Sequence, residues 1–225
     1  MKIGILQTGH APDELRPVVG DVNNLFERLL DGQGFNFETY AVVDGDFPDG
    51  PEACDGWLIT GSKHGAYDDL PWIAPLETLI RDVYAVGRPL VGVCFGHQII
   101  AQALGGKVEQ FKGGWAVGRQ TYDWDGEKVS LNAWHQDQVV ERPDDATPVA
   151  CNDFCENAAL LYGNRAFTVQ AHPEFESNFI EGLIAARAGS VPPDLIASAK
   201  ADLGKDNSNA RLAAQITAFF KGISA

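Results

Sequence analysis

The stretch that decides the fold is Pro89-Leu90-Val91-Gly92-Val93-Cys94-Phe95-Gly96-His97-Gln98. Leu90 to Val93 is a short apolar run, the pattern of a strand buried on both faces. A helix is expected over Gln98–Leu104, closed by Gly105-Gly106. Between them lies the pattern G-x-C-x-G. A residue on so sharp a turn sits on a strained backbone, and its neighbours must be small where strand and helix pass closely. The helix that follows aims unpaired N–H groups at the turn, which favours an anion there.

Working outward from this stretch, the first half of the chain alternates strand and helix. Lys2–Gln7 reads as a strand, and Val22, Leu25, Phe26, Leu29 and Leu30 have helical spacing. Phe35–Val43 reads as a second strand, and Gly56-Trp57-Leu58-Ile59-Thr60 as a third. Trp72–Val86 reads as a helix with Ile73, Leu76, Leu79, Ile80 and Val83 on one face. Such alternation predicts an α/β fold: an open, mostly parallel central sheet with helices on both faces. In the second half, Asp125-Gly126 and Gly163-Asn164 each separate two apolar runs, so antiparallel hairpin strands are expected beside the parallel core. Helices follow over Ser177–Ala188, Asp194–Leu203 and Ser208–Phe220. We therefore expect one main domain over 1–190 and a helical C-terminal extension over 191–225, packed on the same domain.

Cys94 is the candidate nucleophile. A free thiol with a pKa of about 8.5 is only a few per cent ionised at neutral pH, so it needs a base. His172 follows the apolar run Phe167-Thr168-Val169-Gln170 and can be held at a strand end. Pro173 biases His172 toward an extended conformation. Glu174 then returns to the same side of the chain, where it can accept a hydrogen bond from the imidazole.

Thr60-Gly61-Ser62, the Gly92–Gln98 segment and His172-Pro173-Glu174 resemble, in order and spacing, the three signatures of class I glutamine amidotransferases. The resemblance covers about residues 1–185. It is nearest to stand-alone members similar to the glutaminase domain of GMP synthase. It implies that Cys94 attacks the side-chain amide of glutamine, forming a γ-glutamyl thioester and releasing ammonia. His172 would move protons and Glu174 would orient it. Backbone N–H groups of Gly61 and Phe95 would form an oxyanion hole, and Gln98 would touch the amino-acid end of the substrate. Trp134-His135-Gln136-Asp137 matches a site-lining segment, which makes Trp134, Gln136 and Asp137 candidate substrate contacts. Members that make a product carry or bind a synthetase that receives the ammonia, and 225 residues leave no room for one. The resemblance therefore implies an ammonia-accepting synthetase partner. Its alternatives are a γ-glutamyl peptidase or hydrolase acting alone, or a non-catalytic regulatory module.

Other signals exclude functions. Thirty-one acidic against 17 basic residues, for a net charge of −14, argue against nucleic acid and anionic membrane as partners. No apolar run approaches the roughly 20 residues that cross a bilayer. Met1-Lys2 leads straight into an apolar run, and four cysteines do not make a disulfide framework, so a cytoplasmic chain with reduced thiols is expected. Gly56-x-x-x-x-Gly61-Ser62-Lys63 has its Ser and Lys in the wrong order for a phosphate loop. Cys151-x-x-x-Cys155 lacks a second ligand pair for zinc, and no metal or cofactor is expected. His97 is expected to serve helix packing, and His10 and His64 to rim the site.

Overall fold

The computed structural model describes residues 1–223. Its strands are β1 (Lys2–Leu6), β2 (Asn36–Tyr40), β3 (Gly56–Ile59), β4 (Leu90–Val93), β5 (Lys107–Gln110) and β6 (Ala116–Trp124). They continue as β7 (Glu127–His135), β8 (Asp137–Glu141), β9 (Thr147–Cys151), β10 (Ala159–Tyr162) and β11 (Ala166–Val169). The helices are α1 (Arg16–Val19), α2 (Val22–Leu29), α3 (Ile73–Val86), α4 (Phe95–Ala103), α5 (Ser177–Arg187), α6 (Pro193–Ala201) and α7 (Asn209–Phe220).

Nine strands form one sheet in the order β2-β1-β3-β4-β11-β10-β9-β6-β7. The run from β2 to β11 is parallel throughout, and from β11 to β7 every pairing is antiparallel. The α/β class and the added hairpins are therefore as expected. Asp125 and Gly126 both take positive φ, 51° and 85°, as a tight two-residue hairpin turn requires.

Alternation along the strands assigns the two faces. Trp57 and Ile59 of β3, Leu90 of β4 and Ala166 of β11 join one core with Ile80 and Val83 of α3 and Ile99 and Ile100 of α4. Leu58, Val91, Val93, Phe167 and Val169 point the other way, into a core closed by Phe26 of α2 and Leu212, Ile216 and Phe220 of α7. A third cluster lies beside the strand ends, where α5 and α6 meet Val117 and Trp134. The segment after residue 190 thus supplies side chains to two of the three cores.

The sequence reading departs from the structure at several points. The second strand is Asn36–Tyr40, shorter than Phe35–Val43, and Val42–Asp44 forms a 3₁₀ turn instead. The helix after Cys94 begins at Phe95, three residues earlier than expected. Cys94 makes the reversal within one residue, so no loop is needed. The strands β5, β8 and β9 and the short α1 have no counterpart in the sequence reading.

His97 is fully buried, and its Nδ1 lies 2.8 Å from the Thr168 hydroxyl, which ties α4 to β11. Burial, helped by the nearby His135, pushes its pKa down to about 3. Below about pH 6.5 the unfolded chain therefore takes up a proton that the folded chain refuses, and stability falls as pH falls. We expect His97 to contribute about 1.4 kcal/mol of lost stability per pH unit between roughly 6 and 4. Urea unfolding of wild type and His97→Asn across that range should show a shallower pH slope in the variant. Equal slopes would refute this assignment.

Candidate active site

Parallel strands end at the same edge of a sheet. The adjacent strands β3, β4 and β11 therefore deliver Gly61, Cys94 and the segment leading to His172 to one place. Cys94 has φ 54° and ψ −105°, outside the regions an L-residue ordinarily adopts. The ladder holds it there: the Cys94 N–H donates to Val169 O at 2.8 Å. A Cβ on Gly92 would come 2.5 Å from Gly96 O, and one on Gly96 would overlap the Ile59 carbonyl. Both glycines of G-x-C-x-G are thus set by close approach of strand and helix.

His172 is 4% exposed, with its backbone N–H bonded to Asn132 O at 2.8 Å in an isolated bridge to β7. Its Nδ1 lies 2.6 Å from Glu174 Oε1, and its ring stacks on Phe175 with centroids 3.8 Å apart and planes 3° apart. The imidazole also abuts Gly61, where a Cβ would lie 2.8 Å from His172 Cε1. Burial works against charge on this imidazole, but Glu174 and the Cys94 thiol outweigh it and raise its pKa. A proton passed from the Cys94 thiol is therefore well held on His172.

The Thr60–Gly61 peptide is clamped. Thr60 O accepts from Gly96 N–H at 3.1 Å and from the Thr8 hydroxyl at 3.0 Å. In a trans peptide the N–H points opposite the C=O, so the Gly61 N–H is turned away from these partners. Among the described residues, neither it nor the Phe95 N–H at the start of α4 has an acceptor. Two such donors beside a nucleophile can hold an oxyanion. Thr8 and Asn132 act only through contacts distant in sequence, and nothing local marks them.

A cleft of about 600 Å³ opens beside Cys94 and is lined by Gln98, Trp134, Gln136 and Asp137 together with Tyr67 and Arg187. A second, narrower cavity also borders Cys94 and is lined by His10, Trp134, Phe175, Phe179, Leu183 and Arg187. Gln98 borders the cleft, but its amide nitrogen is engaged by Asp137 O at 2.9 Å and Gln170 Oε1 at 3.1 Å. As placed, that nitrogen braces the wall. Burial raises the Asp137 carboxyl above its usual range. His135 is buried, and burial pushes it down to about 4. His10 lies between Asp21 Oδ2 at 2.6 Å and Asp44 Oδ2 at 3.0 Å. His64 borders the cleft.

A cysteine on a nucleophile elbow, with a His–Glu pair brought alongside by the adjacent parallel strand, defines a class of α/β protein built for acyl chemistry. The chain belongs to the class-I glutamine amidotransferase family, whose description its residues 45–182 match. It is 30% identical over 208 residues to γ-glutamyl peptidase 4 of Arabidopsis thaliana, covering 84% of this chain and 83% of the relative. It is 36% identical over 108 residues to a glutamine-hydrolysing GMP synthase subunit of Methanopyrus kandleri, covering 39% of this chain and 52% of that one. A glutamine amidotransferase from Methylobacillus flagellatus shares the fold, with a TM-score of 0.78 and 21% identity over 100% of this chain and 95% of the other. No helix among the described residues is long and apolar enough to cross a membrane.

Proposed function

We propose that the protein hydrolyses γ-glutamyl C–N bonds through a thioester on Cys94, with γ-glutamyl peptides as the substrate class. The observation that carries this is the meeting of Cys94, the His172–Glu174 pair and two free N–H groups at three adjacent strand ends.

In the first half-reaction His172 takes the Cys94 proton, and the sulfur attacks the γ-carbonyl carbon. The negative charge moves to oxygen and is held by the Gly61 and Phe95 N–H groups. The C–N bond breaks as His172 returns the proton to the leaving nitrogen. In the second half-reaction His172 takes a proton from water, which attacks the thioester. Glutamate leaves and the thiol is restored. Glu174 keeps the imidazole in one tautomer and stabilises its charged form. Trp134, Gln136 and Asp137 would hold the γ-glutamyl end, with Gln98 behind them.

Two things favour peptides over free glutamine. A relative matching over most of both chains is a γ-glutamyl peptidase, and two separate spaces border Cys94, which leaves room for more than a glutamine side chain. The match to a GMP synthase favours a second reading, in which glutamine is the substrate and a synthetase partner takes the ammonia. Comparing the purified chain's kcat/KM for amine release from γ-glutamyl dipeptides with that for ammonia release from glutamine separates the two. Faster dipeptide cleavage supports the first reading. Turnover of glutamine alone, rising when a synthetase is added, supports the second.

A further inference from the structure

The chain has 17 basic residues for 31 acidic ones, so cations have no shortage of partners. Arg81, Arg142 and Arg211 each meet a carboxylate. Arg187 differs from other arginines that meet no carboxylate, such as Arg119 and Arg165, in its place beside Cys94. It is half-buried at the end of α5 and borders both the cleft and the cavity that flank Cys94. Among the described residues its guanidinium meets no carboxylate, and burial alone acts on it, lowering its pKa.

Partial burial of an unpaired guanidinium costs stability. Its position is set by the fold. Phe179, Leu183 and Arg187 recur every four residues in α5, so they lie along one face, and with Phe175 just ahead of the helix they line the cavity next to Cys94. Lys63 also borders both spaces, which adds a second positive charge. Of the carboxylates near Cys94, Glu174 is bonded to His172, and Asp137 lines the same cleft with its side chain engaged by Tyr67.

We propose that Arg187 is a specificity-determining residue that binds the C-terminal carboxylate of the leaving group of a γ-glutamyl peptide. This rests on the peptidase reading above. The guanidinium presents planar paired donors that match a carboxylate, and ammonia, the leaving group from glutamine, offers it nothing. Arg187 thereby separates peptides with a free terminal carboxylate from glutamine and from amidated peptides.

The test uses the full chain with γ-Glu-Ala, γ-Glu-Ala-amide and glutamine. Wild type should cleave γ-Glu-Ala with a kcat/KM at least about tenfold above the amide. Arg187→Gln should lower kcat/KM for γ-Glu-Ala about 10- to 100-fold relative to the other two, chiefly through KM. Arg187→Lys should recover part of the loss. Equal losses on all three substrates, which a merely structural role or contact with the glutamyl head would produce, overturn the proposal while the peptidase reading stands. So does a wild type indifferent to amidation, a result that needs no variant to fold. A wild type that cleaves glutamine and no peptide overturns both.

Discussion

Cys94→Ala is expected to reduce turnover of γ-glutamyl substrates by about four orders of magnitude or more while leaving a folded protein. The substitution removes one sulfur and keeps the Cβ. The backbone at φ 54° is no harder for alanine than for cysteine, and the residue 94 N–H still reaches Val169 O. Thermal unfolding and circular dichroism should therefore match wild type closely. What disappears is the covalent route. His172 and Glu174 remain, but water must then attack the amide directly, with no thioester to divide the barrier. Mass spectrometry after brief exposure to substrate should show a γ-glutamyl adduct on the wild type at Cys94 and none on the variant. Activity within about tenfold of wild type would mean that the sulfur is not the nucleophile.

Gly96→Ala should act on the fold before it acts on chemistry. The added methyl would overlap the Ile59 carbonyl oxygen and crowd its carbon at 2.9 Å, so it meets backbone that no change of rotamer can move aside. Either α4 lifts off β3 or the β3–β4 ladder parts. Gly96 N–H, which grips Thr60 O, would be pulled away in the same movement. Overpacking of this kind costs about 3 kcal/mol. The urea midpoint should fall accordingly, and residual activity should fall with it, because the Gly61 N–H depends on the same clamp. An unchanged midpoint would show that helix and strand have slack that the structure lacks.

These two positions also show what is readable in the sequence. G-x-C-x-G, the strand before it and the His-Pro-Glu triplet are local patterns with strong physical causes, and each reappears as geometry: Cys94 at positive φ, two glycines in forced contact, His172 and Glu174 hydrogen-bonded. Asp125-Gly126 is legible for the same reason, because few residues accept its turn. What stays hidden is long-range. β5 and β8 pair only with each other, and Lys107-Val108-Glu109-Gln110 is too polar and short to announce a strand. Pro148 disguises β9. The early start of α4 leaves no local sign, because nothing in Phe95-Gly96-His97 marks a first helical turn. Asn132, which fixes His172, and Thr8, which clamps Thr60, touch residues about 40 and 50 positions away. Arg187 does carry a trace, the four-residue rhythm that starts at Phe175, but rhythm without the cavity it faces says nothing about ligands.

The interleaving of the strands has a consequence for the life of the chain before it is finished. Cys94 is made early, yet β11, which must lie beside β4 to complete the reactive arrangement, emerges more than seventy residues later. Until that late strand inserts, His172 is not held beside the sulfur. Nascent and half-assembled chains therefore lack the arrangement on which the proposed hydrolysis depends. The proposed site is thus completed only when the last parallel strand docks, a pairing of distant segments that forms late in folding.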